Sequence, residues 1–545
     1  MFTNVPISKN RNWIFNCEIM LKNYLCQKTK MPSRAYKSLK NVKIGMLFYI
    51  ISLILTFFSR KVFLDNLGVD FIGLTGTLNS ILNFLNLAEL GIGSCVCFFL
   101  YKPIERNDHK EINEIISVLG YMYKRIGSFI LVIGISVSFF FPLIFRHTEM
   151  YLGIVYFAFY SFLASSVVGY FINYRQVLLT ADQKNYIVTG YLQTANILKT
   201  GLQILLAYYY KNLYIWVAVE FVFSFFSYLI LNQRIQKNYP WLLTKVKDGK
   251  ILLKKYPDML IKTKQIFIQK IKDFILIKND EILIFAFVSL KMVAYYGNYM
   301  IIINKLIYLV NVMSDGMGAG VGNLVAENKL SNTIKVFWEL TALRFIIVGI
   351  VIFSLFLFMQ PFIACWLGKE FLLSDTILYL LLIHIFIMLS RGVVQMYIHA
   401  YGLYSDVWAS WTEVIINILV TFIAGYFYGI TGILIGKIVS VIGIALLWKP
   451  YYLFKFGIKQ PFTSYWKGMF PYYVIFGGCM FLIIPVKYFI IDIYVDSFFK
   501  LLIYAIAVMI PLLIIYFFLL YKITSGMKYF MVRLPFFSKY IKSDR

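Results

Sequence analysis

The chain has 545 residues and a formal charge of +27 at pH 7. It is 60% hydrophobic and only 14% charged, with a mean hydropathy of +0.73, whereas soluble domains carry about 45–50% apolar and roughly 25% charged residues. These values exclude a soluble enzyme and leave a polytopic membrane protein, in which the excess of Lys and Arg reads as the positive-inside bias of cytoplasmic loops and not as a nucleic-acid surface.

Residues 1–41 are polar and basic (Lys9, Arg11, Lys22, Lys28, Lys30, Arg34, Lys37, Lys40). They lack the apolar core and small-residue cleavage site of a signal peptide, so this segment is expected to stay in the cytoplasm. Within it, residues 13–25 read equally well as a helix lying on the membrane or as a basic arm. A span needs about 20 apolar residues. On that rule about fourteen helices are expected, near 42–59, 71–100, 126–145, 151–172, 186–209, 213–232, 281–296, 298–325, 339–359, 373–397, 409–428, 430–453, 469–490 and 498–521. An even number starting inside places the C-terminus inside, and the basic tail 522–545 agrees. Loop 101–125 carries Lys102, Arg106, Lys110, Lys124 and Arg125, whereas the next outward loop has Arg146 alone. Residues 233–280 hold twelve Lys and Arg and read as a cytoplasmic linker. It separates an N-terminal lobe, 42–232, from a C-terminal lobe, 281–456; helices thirteen and fourteen occupy 457–521.

Two of these segments carry the same polar stripe. The first runs Asn79, Asn83, Asn86, Glu89, Gly93; the second runs Asn304, Tyr308, Asn311, Asp315, Gly318, Gly322. Asn79, Asn86 and Gly93 precede Asn304, Asn311 and Gly318 by 225 residues with no gap. Steps of three and four set each stripe on one helical face. In a bilayer such a face avoids lipid and turns to a partner helix or a watery cavity. Further pairs follow in order: Val167-Val168 with Val393-Val394, Asp182 with Asp406, and Asn196-Ile197-Leu198 with Asn417-Ile418-Leu419. A duplicated six-helix unit with a polar seam in each half reads as a transporter.

Enzyme motifs are not found. Gly432 to Lys437 comes nearest to a phosphate-binding loop, but its glycine spacing is wrong and Ile438 stands where a hydroxyl is required. The six cysteines form no zinc or disulfide framework. No metal or organic cofactor is expected, and work is expected to come from an ion gradient.

Charges inside the spans are costly, on the order of 3 kcal/mol each, and usually line a pathway or pair together. Arg391, Lys291 and Lys305 are the candidate substrate-binding cations. The fork of Arg391 suits phosphate, Lys291 falls about ten residues into the seventh helix and so near mid-membrane, and Lys305 sits beside Asn304. Lys199 and Arg344 read as snorkelling to an interface. Glu220 and Lys437 hold equivalent places in the two halves and are candidates for an intramembrane pair. Glu89, Asp315 and Asp280 are candidates to bind H⁺ or Na⁺. For Glu89 and Asp315 the alternative is helix packing beside glycines, and for Asp280 it is solvation at the membrane entrance.

The runs LNLAELGIGSCVCFFLYKPIERND (85–108), YYGNYMIIIN (295–304), GAGVGNLVAEN (318–328), PFIACWLGKEFLL (361–373) and AYGLYSDVWASWTEVIINILV (400–420) resemble bacterial polysaccharide repeat-unit flippases. These belong to the multidrug/oligosaccharidyl-lipid/polysaccharide exporter superfamily. The resemblance implies an all-α integral membrane protein with a MATE-like fold. Two six-helix bundles would form a V, with two extra C-terminal helices. It implies alternating access that carries undecaprenyl-diphosphate-linked oligosaccharides across the bacterial inner membrane, coupled to H⁺ or Na⁺, for capsule, O-antigen or exopolysaccharide synthesis. Lys291, Lys305 and Arg391 fit, in character, the cationic cavities of such flippases. The expected partners are that lipid-linked substrate, membrane lipids, a polysaccharide polymerase and chain-length proteins, with no nucleic acid. Three rivals stand beside this reading: a lipid II flippase, a drug or cation exporter of the same superfamily, and a polysaccharide polymerase. The intramembrane Lys and Arg argue against the second, and the inward position of the largest loop argues against the third.

Overall fold

Hydrocarbon offers the backbone no hydrogen-bond partner, so long apolar runs must close their own bonds as helices. The computed structural model describes residues 33–86, 92–146, 148–261, 263–264, 271, 275–276, 279–327, 329–403, 405–491 and 495–533. Segment 13–25 and Glu89 lie outside them, as does the side chain of Asp315. Among the described residues there is no strand. The principal helices of the first half are α1 (Ser33–Leu67), α2 (Val69–Leu85), α3 (Ile92–Arg106), α4 (His109–Ser138), α5 (Leu152–Ile172), α6 (Asn185–Tyr210) and α7 (Leu213–Asn238). Those of the second half are α8 (Asp280–Phe287), α9 (Leu290–Ala326), α10 (Leu330–Trp366), α11 (Asp375–Ser390), α12 (Gly392–Ala400) and α13 (Val407–Val441). Then follow α14 (Phe462–Val486), α15 (Phe498–Ile523) and the short α16 (Ser525–Arg533). By length and composition nine helical stretches among the described residues can cross a membrane. Ile54, Phe58, Val132, Phe139, Phe427, Phe481 and Ile514 are each more than half exposed, as a lipid-facing surface requires. The chain is an all-α, multi-pass membrane protein.

Local chemistry sets several helix starts. The Asp108 carboxylate accepts from the Glu111 amide at 2.9 Å and opens α4, and Asn212 accepts from the Tyr214 and Ile215 amides to open α7. The break expected between 409–428 and 430–453 is a tight bend inside α13. Gly429 takes φ +55°, a region L side chains avoid. The two arms then press together so closely that a Cβ on Gly432 would lie 1.9 Å from the Ala424 oxygen, and one on Gly436 would lie 2.3 Å from Thr421 Oγ1. The glycines that approach a phosphate-loop pattern are therefore helix-packing residues.

One expected boundary is displaced. The sequence suggests helices at 281–296 and 298–325. Instead the backbone breaks at Val288 (φ −131°, ψ −85°), the Ser289 hydroxyl caps the Met292 amide at 3.2 Å, and α9 then runs 37 residues without interruption. Lys291 consequently stands in the first turn of α9, exposed, and not ten residues inside a span.

The two halves meet along α2 and α9. The backbones touch where Gly73 faces Leu290: a Cβ there would lie 2.0 Å from the Leu290 oxygen. At the end of the bundle holding the start of α2 and the start of α9, further bonds join the halves. Arg60 of α1 donates from Nε to Asn298 Oδ1 (2.7 Å) and from Nη2 to the Ala294 oxygen (3.0 Å). Trp366 Nε1 donates to the Phe57 oxygen at 2.9 Å, and Phe145 stacks on Phe285 with centroids 5.0 Å apart. Helices α14 and α15 dock on α10, away from this seam. Phe353 stacks on Phe476 at 5.2 Å, and the Tyr516 hydroxyl donates to the Phe345 oxygen at 2.9 Å.

Candidate functional site

The polar stripes of α2 and α9 border a cavity of about 610 Å³ between the halves. Asn83 reaches it from α2, Asp280 and Glu281 from α8, Asn304 and Asn311 from α9, and Arg344 from α10. Helices α11 to α13 add His384, Arg391, Glu413, Asn417 and Lys437, and Lys449 follows α13. Arg391 occupies the junction between α11 and α12, where its amide closes α11 on the Ile387 oxygen. That break turns the side chain inward. Its guanidinium Nη1 lies 3.7 Å from Glu413 Oε1, and the side chain remains 26% exposed, so the pair is loose and its donors are open to the cavity.

Arg344 does not snorkel as expected. It is buried, with Nε donating to the Leu389 oxygen and Nη1 to Ser314 Oγ, both at 2.7 Å. Gly392 makes room for it, since a Cβ there would fall 2.6 Å from Nη2. The Arg391-Gly392 step, a cation followed by the smallest residue inside an apolar run, is the sequence signal for this arrangement.

The expected pair of Glu220 with Lys437 does not form. Each ion finds a partner within its own half. Lys199 Nζ meets Glu220 Oε1 at 2.6 Å between α6 and α7. Lys437 Nζ meets Asp280 Oδ2 at 2.5 Å between α13 and α8. Asp280 is thus buried and not solvated at a membrane entrance. The Tyr296 hydroxyl donates to the same carboxylate oxygen at 2.5 Å, and the other oxygen has no hydrogen-bond partner among the described residues. The position expected to hold a coupling cation already holds an ammonium.

Two further cations fall outside this cavity. Lys291 lies over the Tyr295 ring, 5.8 Å from its centroid, for the boundary reason given above. Lys305 is half-buried over the Tyr49 ring at 5.2 Å, one helical step away from Asn304 and so on a different face. Among the described residues the lining therefore carries four cations, Arg344, Arg391, Lys437 and Lys449, against three carboxylates, Asp280, Glu281 and Glu413. It is less cationic than the sequence suggests.

The first stripe opens on a second cavity, of about 210 Å³, where Asn79, Asn83 and Asn86 face Ser165, Ser166, Trp216 and Glu220. Asn83 borders both spaces. Asn86 is held in place, its Oδ1 accepting from Ser166 Oγ at 2.9 Å and from the Tyr170 hydroxyl at 3.0 Å. Among the described residues no group of three or more His, Cys, Asp or Glu is placed to hold a metal ion.

No protein-family model matches the sequence, and no curated protein matches it. Solved structures do match its shape. The lipid II flippase MurJ, in an inward closed conformation, superposes with a TM-score of 0.64 at 15% identity, covering 88% of this chain and 99% of MurJ. An inward-facing multidrug resistance MATE family transporter of the MOP superfamily gives 0.53 at 16% identity, over 76% of this chain and 97% of that one. A single-residue mutant of the Vibrio cholerae MATE transporter VcmN gives 0.50 at 12% identity, over 78% of this chain and 99% of that one. The chain has the fold of these membrane transporters.

Proposed function

We propose that the chain is a flippase for undecaprenyl-diphosphate-linked oligosaccharide repeat units, working by alternating access in a bacterial inner membrane. The observation that carries this reading is Arg391. It is a permanent cation with a planar set of donors, open to a mid-bundle cavity and held only loosely by Glu413. A diphosphate leaving water needs charge-assisted donors in a fixed array, and Arg391 presents them to the cavity. Amides at Asn83, Asn304 and Asn311 supply neutral donors and acceptors beside them. An arginine open to the cavity disfavours a cationic substrate.

A lipid II flippase is the second reading, favoured by the likeness to MurJ over most of both chains; its substrate is also a lipid-linked saccharide. Coupling to H⁺ or Na⁺ is part of the proposal, and Asp280 can serve it only in a state in which Lys437 leaves its carboxylate. A polysaccharide polymerase and chain-length proteins are the proposed partners. Both termini and the basic linker 233–280 are proposed to be cytoplasmic, so that linker should resist protease added outside intact cells.

The deciding experiment locates lipid-linked repeat units in cells with and without the chain. Accumulation in the inner leaflet on deletion, reversed by the intact chain, is the expected result. Normal arrival at the outer leaflet with unextended glycans would replace the flippase reading with a polymerase or accessory role.

A further inference from the structure

Cations are confined to one of two cavities that share Asn83 in their linings. The cations border the larger one, mostly from the second half. The smaller one, framed by α2, α5 and α7, is lined by amides, hydroxyls and an indole. Its single carboxylate among the described residues, Glu220, is already bound by Lys199 at 2.6 Å and by Gln203 Nε2 at 3.0 Å. A phosphate would find no cation in this lining. A hydrocarbon would leave its amides unsatisfied in a low-dielectric setting, at a cost of roughly 1–3 kcal/mol per group. A ligand with many neutral hydroxyls satisfies both conditions.

The hydrogen-bond inventory of the pocket points the same way. Asn79 donates from its Nδ2 to the Thr75 oxygen at 2.8 Å. Asn83 is exposed to the space and makes no hydrogen bond within the protein among the described residues. Trp216 carries an indole N–H with no acceptor among them. Asn86, by contrast, is fixed by Ser166 and Tyr170 and presents a rigid amide edge. Asn79 and Asn83 on α2, with Asn86 just past its end, extend about 10 Å along the pocket wall. Paired donors and acceptors of this kind match vicinal hydroxyls, and 210 Å³ corresponds to about seven waters at ~30 Å³ each, which is room for one sugar ring.

We infer that this pocket is a saccharide subsite, an inference that rests on the flippase reading and deepens it. The first sugar of the lipid-linked unit lies among Asn79, Asn83, Asn86 and Trp216 while the diphosphate lies against Arg391. Asn83, common to both cavities, marks the junction.

Native mass spectrometry of the full chain in detergent, titrated with undecaprenyl diphosphate and with the same lipid bearing a monosaccharide, tests this. The wild type should bind the sugar-bearing lipid about tenfold more tightly, a typical worth for hydrogen bonds to fixed groups. The double variant Asn79→Ala/Ser165→Ala, at two residues that line the smaller cavity and not the larger one, should bring that ratio to about one while leaving the sugar-free lipid unaffected, and an unchanged melting temperature would show that it folds. Arg391→Gln should weaken both lipids alike. A ratio that persists in the double variant, or equal loss for both lipids, overturns the subsite. A wild type that binds both lipids equally removes the subsite and leaves the flippase reading standing. A wild type that binds neither removes both.

Discussion

Replacing Lys437 with Met should lower stability by about 3–5 kcal/mol, because it strands a buried carboxylate that had one cation. Asp280 has few other resources. It receives the Tyr296 hydroxyl on the oxygen shared with Lys437, and its second oxygen is unpartnered among the described residues. Asp280→Asn should be nearly as damaging, since it strands the ammonium. The double variant Asp280→Asn/Lys437→Met should regain most of the loss, as a neutral pair of similar size removes both desolvation penalties. Melting of the purified protein in detergent reads all three. Single variants as stable as wild type would mean that water reaches the pair and that it is not a buried lock. The same variants bear on energy coupling. With Lys437 removed, Asp280 is released to take up Na⁺, so Lys437→Met should melt at a temperature that rises with Na⁺, where the wild type does not respond. Equal response in both proteins would dismiss Asp280 as a cation site masked by lysine.

The second large effect is expected at Arg391. Arg391→Gln removes a charged donor set worth about 1.5–3 kcal/mol in bound phosphate, or roughly 10- to 150-fold in substrate affinity. Fold should survive, because the side chain is partly exposed and its contact with Glu413 is long at 3.7 Å. Arg391→Lys should recover only part of the activity, because an ammonium keeps the charge without the planar fork. Appearance of repeat units in the outer leaflet, normalised to protein in the membrane, is the readout. Full activity in Arg391→Gln would take this residue out of the substrate site. Arg344→Gln should behave differently and reduce the amount of folded protein, since Arg344 ties α10 to the Leu389 oxygen and to Ser314.

The helices are legible in the sequence because lipid leaves an apolar run of about 20 residues little other choice. The seams are legible for the complementary reason: Asn79, Asn83, Asn304 and Asn311 interrupt apolar faces at helical spacing, and each borders a cavity. Ion pairing is not legible. Lys437 and Asp280 lie 157 residues apart, and the internal repeat suggests Glu220 as a partner because it sees equivalence and not proximity. The displacement of Lys291 has a local cause. One cap at Ser289 shifts the boundary between two helices, and a charge assigned to mid-membrane moves to a helix end. Arg344 escapes periodicity because its partners, the Leu389 oxygen and the Ser314 hydroxyl, leave no trace there; only the Arg391-Gly392 step marks the space it fills.

The contacts around Arg60 fix more than packing. Under the alternating access proposed for this chain, that end of the bundle has to part, and parting it breaks two hydrogen bonds from a guanidinium, an indole bond and a stacked pair. At about 1.5–3 kcal/mol for a charged hydrogen bond, Arg60 alone sets a resting preference of roughly tenfold or more for the sealed arrangement. Spin-label distances across that end in substrate-free protein would read this preference as a single dominant short separation. On the proposed flippase reading, a carrier biased in this way idles with one door shut, and ligand binding has to supply the differential affinity that opens it. Empty cycles of such a carrier become rare.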